Sequence, residues 1–94
     1  MSLTDEQFIL AMKALSEPNR LEIVRIVKLK EGQEGVTCTT VLSELDISQS
    51  TFSHHVGELR EAQILIAEPQ GRTVRLTVNH KLFNQLQQKI DLLK

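Results

Sequence analysis

Cysteine is almost missing from this chain of 94 residues: Cys38 is its only thiol, so no internal disulfide can form and no Cys-rich zinc spacing can be filled. Tryptophan and tyrosine are missing altogether, and three phenylalanines are the whole aromatic complement. The core must therefore be aliphatic and held by packing, and a second copy is expected to cover part of each protomer's apolar surface. No apolar run approaches the roughly 20 residues that span a bilayer. The opening Met1-Ser2-Leu3-Thr4-Asp5-Glu6 is acidic where an export signal would be basic, which predicts a cytosolic protein with no membrane partner. A glycine-rich phosphate loop, an ordered Ser/His/Asp set and paired acid-base carboxylates are also lacking, so no enzyme and no cofactor are expected. Charge of one sign is scarce as well, the net being −1. Any electrostatic function must rest on where the charges sit.

What the chain does contain is a series of helix signals within a single domain, residues 1–94. Thr4-Asp5-Glu6-Gln7 has the form of a capping box, and Phe8, Met12 and Leu15 recur at helical spacing, predicting a helix over 5–15. Pro18 suits the first turn of a second helix that ends near Lys30, with Leu21, Val24 and Val27 as its buried stripe. Glu31-Gly32-Gln33-Glu34-Gly35 reads as a surface loop. Val36-Thr37 suits a short edge strand, and Thr37 can cap a brief third helix with Val41, Leu42 and Leu45 inward. Asp46-Ile47-Ser48 is a turn, and Ser48 caps a fourth helix in which Phe52, Val56 and Leu59 face the core.

Beyond that helix the period changes from 3.6 to 2. Ile64 and Ile66, then Val74, Leu76 and Val78, alternate with Leu65, Thr73, Arg75 and Thr77, and Glu68-Pro69-Gln70-Gly71-Arg72 joins the two strands. Asn79 caps a last helix over about 80–93 with the stripe Leu82, Phe83, Leu86, Ile90 and Leu93. The fold class is mainly α with a β-hairpin wing, in the order of four helices, two strands and a fifth helix. Two short helices around a tight turn (about 37–62), followed at once by a hairpin (about 64–78), is the order of a winged helix-turn-helix.

In that arrangement the fourth helix enters a DNA major groove and the hairpin tip reaches a phosphate or minor groove. No acid occurs from Gln49 to Gly57, while Arg60, Arg72 and Arg75 lie nearby and are offset by Glu58, Glu61 and Glu68. The footprint is weakly positive, and modest, salt-sensitive binding is expected. Glutamine can pair bidentately with adenine and serine can donate or accept, which makes Gln49 and Ser53 the preferred base readers. Ser48 and the free amides of its helix could hold a phosphate. Arg72 and Arg75 read either as wing contacts to DNA or as ordinary strand charges.

Ala14-Leu15-Ser16-Glu17-Pro18-Asn19-Arg20-Leu21-Glu22-Ile23-Val24 resembles the second-helix entry of the ArsR/SmtB family of bacterial repressors, and Ser48-Gln49-Ser50-Thr51-Phe52-Ser53-His54-His55-Val56 with Leu59-Arg60-Glu61-Ala62 resembles its recognition helix. Gly71-Arg72 matches the wing turn, and Gln63 departs from the pattern by standing where the family usually has glycine. The resemblance implies a homodimeric cytoplasmic repressor that binds an imperfect palindrome in double-stranded DNA and is released by some signal, with an unidentified small-molecule or protein effector. It places Gln49, Ser50, Ser53, His54 and Arg72 at the DNA, and Ser48 and Thr51 at the helix N-terminus and Arg75 on the wing complete the expected contact set. It places Phe8, Met12, Leu82, Phe83, Leu86, Ile90 and Leu93 at the dimer interface. A protein-interaction module without DNA binding is the competing reading, prompted by the near-neutral charge.

Many members of that family sense metals through a Cys-x-Cys pair on the third helix or through Asp/His and His/Glu pairs on the last. Here the third helix offers Thr37-Cys38-Thr39-Thr40, and the last offers His80 and Asp91 without a second ligand at i+3 or i+4, so no metal site is expected. Cys38 reads first as a buried packing residue, with thiol modification as the alternative. His54 and His55 point about 100° apart and cannot chelate together. His54 is expected to face DNA, His55 to turn toward the second helix, and His80 to be solvated.

Overall fold

The computed structural model describes residues 2–94. Its elements follow the local signals closely. Helix α1 (Asp5–Leu15) is opened by Thr4, whose Oγ1 accepts from the Gln7 N–H at 3.1 Å while Gln7 Oε1 accepts from the Thr4 N–H at 3.0 Å. Helix α2 (Pro18–Lys30) is capped by Glu17, whose carboxylate accepts from the Arg20 N–H at 2.9 Å. Strand β1 (Val36–Thr37) leads into α3 (Cys38–Ser43), and α4 (Gln49–Glu61) follows with Ser48 as its cap. Strands β2 (Leu65–Gln70) and β3 (Thr73–Val78) form the hairpin, and α5 (His80–Asp91) starts at Asn79.

The three strands form one antiparallel sheet in the order β1-β3-β2. Strand β2 runs to Gln70, so the connection is the two residues Gly71-Arg72 and not the longer loop expected from Glu68 to Arg72. Gly71 has φ +63° at the first central position of this tight turn, where an L side chain would be strained. The pleat also differs from the expected alternation. Leu65 pairs with Val78 and Ala67 with Leu76 on the inner face, so Leu65 is buried while Ile66 is half exposed. Val74 shares the inner face but lies toward the tip, past the edge of the core, and is exposed.

The cause of the shift is Gln63, the only non-glycine with positive φ (+63°) among the described residues. It ends α4 in a Schellman motif: the Ile64 N–H bonds Leu59 O and the Gln63 N–H bonds Arg60 O, both at 2.9 Å. The left-handed residue turns the chain so that Ile64 and Leu65 are both buried and the strand's alternation starts only at Leu65. Asn79 then ties the start of α5 to this corner, donating from Nδ2 to Gln63 O at 2.9 Å.

The core lies between α2, α4 and the sheet, with Ile23, Val27, Val41, Leu59, Ile64 and Leu76 fully enclosed. Helix α2 buries Ile23, Val24, Ile26 and Val27, whereas Leu21, expected inside, is 37% exposed. On α1 the closest approach is made by Ala11 and Ala14, with Phe8 and Leu15 half-buried and Met12 exposed. Small residues let the helix sit near its neighbour, so the large ones lie to either side. Helix α5 turns Leu82 and Leu86 into the protomer's own core, and Lys89 bonds Asp5 at 2.7 Å.

Glu31 is another departure from the loop expected there. It is 8% exposed, and its Oε1 accepts from the Val78 N–H at 2.9 Å. Strand β1 begins at Val36 opposite Leu76, and two residues further along β3, beyond the reach of β1, the Glu31 carboxylate takes over the ladder at Val78. Its other oxygen is 2.9 Å from His80 Nε2, so His80 is tethered and not simply solvated. Gly35 passes over β3 with φ +84°, and a Cβ there would stand 2.9 Å from Leu76 O, so no larger residue fits.

Candidate nucleic-acid interface

The first turn of α4 is built to offer donors to solvent. Ser48 Oγ accepts from the Thr51 N–H at 3.1 Å and lies 3.2 Å from Ser50 Oγ and 2.9 Å from Thr51 Oγ1, giving a cluster of hydroxyls around a helix N-terminus with no acid in its first turn. The helix dipole and these groups together favour an anion. Gln49, Ser50, Ser53 and His54 are all exposed on the outer side of the same helix. They form one continuous face, because residues three and four apart are neighbours on a helix.

Gly57 extends that face by a turn, and a Cβ placed there meets nothing within 4 Å. The protomer's own packing does not require a glycine in this helix. The pattern of polar residues alone passes over it; its signal is a helix-weakening residue at i+4 from Ser53 in an otherwise well-formed helix.

The inner side of α4 fixes how this face is presented. Phe52, Val56 and Leu59 are buried, and His55 is 8% exposed. His55 Nδ1 accepts from Arg20 Nε at 3.1 Å, which leaves the ring proton on Nε2, 3.7 Å from the Glu17 carboxylate. Helix α2 therefore holds the recognition helix by a polar lock as well as by apolar contact. The adjacent histidines are divided as expected, His54 outward and His55 toward α2.

The two wing arginines differ. Arg72 is exposed at the hairpin turn with no acidic partner within 4 Å among the described residues. Arg75 is half-buried: its Nε donates to Gln70 Oε1 at 2.6 Å and its guanidinium reaches Gly35 O at 3.2 Å. It spans from β3 to the loop before β1, a geometry that strand alternation alone does not indicate. A groove of about 440 Å³ lies between α4 and the hairpin, lined among others by Cys38, Gln49, Ser53, Arg60 and Val74. Burial pushes the Cys38 thiol up from its ordinary value, against a smaller opposing effect of Arg60. Among the described residues, no three His, Cys, Asp or Glu side chains gather in a metal-binding group.

The residues named for the dimer also divide. Leu82 and Leu86 are spent within the protomer, Phe8 and Phe83 are half-buried, and Met12, Ile90 and Leu93 are exposed. Ile9 and Leu92 add to the exposed apolar surface of α1 and the C-terminal end of the chain.

A short helix, a tight turn, a second helix with an acid-free outer face and an adjoining hairpin together make this a winged helix-turn-helix. A helix-turn-helix domain family matches residues 15–67, over half of the chain. The chain belongs to that family and resembles the ArsR/SmtB winged helix regulators; it is a DNA-binding transcriptional regulator. It is 27% identical over 82 residues to an arsenical resistance operon repressor of Staphylococcus xylosus, covering 87% of this chain and 75% of that one. In fold it is similar to an ArsR-like transcriptional regulator from a Rhodococcus species, at 16% identity and a TM-score of 0.80, covering 94% of this chain and 79% of the other. HlyU from Vibrio cholerae superposes with a TM-score of 0.74 at 22% identity, covering 98% and 97% of the two chains. No helix among the described residues is long and apolar enough to cross a membrane.

Proposed function

We propose that the protein is a homodimeric cytoplasmic repressor that reads an imperfect palindrome with two copies of α4. The observation that carries this reading is the acid-free outer face formed by Gln49, Ser50, Ser53 and His54 beside the hydroxyl-rich N-terminus at Ser48 and Thr51. Gln49 and Ser53 read base edges, Ser48 and Ser50 hold a phosphate, and Arg72 reaches a second phosphate from the wing. Arg75 is assigned to holding the wing on the sheet, because its Nε and one terminal nitrogen already have protein acceptors.

The dimer surface is the exposed apolar strip of Ile9, Met12, Ile90, Leu92 and Leu93, with Phe8 and Phe83 at its edge. Leu82 and Leu86 support it from inside without touching the partner. A symmetric pairing through these helices places the recognition helices about 34 to 36 Å apart, one turn of duplex.

Selection of bound duplexes from a random pool tests the reading. It is expected to return inverted half-sites. Gln49→Ala should cost about 1 to 3 kcal/mol on the selected site and relax one position of each half-site. Arg72→Ala should weaken all sequences alike and lower the slope of log K against log salt by about 0.9 for each phosphate that is no longer neutralised. Wild-type affinity in both variants would rule out this face as the reader. Ile90→Asp should leave a folded monomer in sedimentation velocity; an unchanged dimer would move the interface elsewhere.

A further inference from the structure

Leu21 lies at the start of α2, where periodicity points it to the core, yet it is 37% exposed. It forms one wall of a groove of about 370 Å³ whose floor and sides are apolar: Val24 from α2, Leu15 from the end of α1, Val78 from the end of β3 and Phe83 from α5. The rim carries Arg25, Lys28 and His80, and no carboxylate lines the groove. The volume falls within the range of small-molecule sites, about 300 to 1,000 Å³.

Charge decides what such a groove can hold. Lys28 has no acid within 4 Å among the described residues. Arg25 touches Glu22 at 3.4 Å, but both side chains are about half exposed or more, and such a surface pair yields readily to a better-placed anion. His80 is held at the rim by its bond to Glu31. A cation would meet two like charges here, and a polar neutral molecule would find few partners in the lining.

We propose that this groove is a binding site for a small amphipathic anion, a carboxylate on an apolar body. The apolar part lies on Leu21, Val24 and Phe83, and the carboxylate lies between Lys28 and Arg25. The groove shares Leu15 and Phe83 with the cleft between α1 and α5, yet its floor is α2, so it does not require the exposed strip assigned to the dimer. The occupied site would touch Val78 and His80, both of which Glu31 bonds, at the root of the wing.

Calorimetric titration of the full chain with decanoate, below its micelle concentration and without DNA, tests the site independently of the DNA reading. Saturable binding of one decanoate per protomer is expected, with decyltrimethylammonium failing to saturate. Lys28→Glu and Arg25→Glu, both at exposed positions, should each weaken decanoate about tenfold while circular dichroism stays unchanged. Leu21→Asp should abolish binding. The proposal falls if decanoate does not saturate, if the cationic analogue binds equally, or if both charge reversals leave affinity unchanged. It also falls if Leu21→Asp splits a wild-type dimer in sedimentation velocity, because the groove would then be covered by a second copy.

Discussion

Removing the carboxylate of Glu31 should destabilise the protein more than any other single loss of a polar group in it. Glu31 closes two bonds of 2.9 Å, one from the Val78 N–H and one from His80 Nε2. In Glu31→Ala the Val78 N–H is left buried without a partner, which costs about 1 to 3 kcal/mol. Breaking the bond to His80, whose side chain is 56% exposed, adds at most about 1 kcal/mol. Together they give a destabilisation of about 1 to 4 kcal/mol, a large share of the roughly 5 to 15 kcal/mol of an ordinary domain. Glu31→Gln retains an acceptor for Val78 and should cost about 1 kcal/mol or less. His80→Ala should behave like the glutamine variant. Urea denaturation followed by circular dichroism gives the order, and amide exchange at Val78 gives the site: exchange should accelerate in the alanine variant and barely change in the glutamine one. If Glu31→Ala lies within about 0.5 kcal/mol of wild type, or if Gln and Ala cost the same, the N–H bond is not what the buried carboxylate contributes.

Other expectations follow from single residues. Gln63→Gly should stabilise by about 0.5 to 1 kcal/mol in the same urea assay, since relief of a left-handed L residue outweighs the added freedom of glycine in the unfolded chain. Gly57→Ala should raise stability by about 0.5 to 1 kcal/mol and lower affinity for the selected DNA, because the new methyl meets only the ligand; unchanged affinity would remove Gly57 from the interface. The Lys89 ammonium holds the Asp5 carboxyl below the ordinary carboxylate value, so this bridge contributes above the unfolded pKa and is lost as pH falls through the lower folded one. The stability gap between wild type and Lys89→Met should therefore close as pH drops through the acid range, and a constant gap would refute the linkage. Burial raises the Cys38 thiol, so its alkylation at pH 8 should be about tenfold or more slower in the native protein than in urea.

The helix boundaries are legible in the sequence because they are set locally. Thr4, Thr37, Ser48 and Asn79 each cap a helix with their own side chain, and a side chain three residues from its donor leaves a mark in sequence. The recognition face follows from the same logic, since Phe52, Val56 and Leu59 fix which side is inward. The features that differ from expectation depend on partners distant in sequence or on backbone geometry. Alternation counted from Ile64 turns Ile66 inward, and only the left-handed Gln63 shows that the strand begins one residue later. Glu31 is 47 residues from the N–H it satisfies, and nothing in Glu31-Gly32-Gln33 indicates that bond. Leu21 carries the right period but lies beside a groove, and periodicity records direction without recording whether anything stands there. Arg72 and Arg75 share a residue type and a place in the wing, and the distances from Arg75 to Gln70 and Gly35 show which of them is held by the protein itself.

The bond from Arg20 to His55 turns the α1–α2 elbow into a shared bearing. Glu17, at that elbow, caps α2 and also faces the ring of His55, so α4 is mounted on the joint that carries α1, the helix proposed to face the partner. In the proposed dimer, motion of one protomer against its partner would be passed to the reader as a rigid rotation, with no bending needed inside the protomer. The molecule is 41 Å along its longest axis, and a turn of about 5° about one end carries the other by about 3.5 Å. That exceeds the length of a hydrogen bond. In the proposed dimer, a signal need only tilt the two halves slightly for their readers to fall out of phase with the grooves, and a site that seats one half-site well would lose the other.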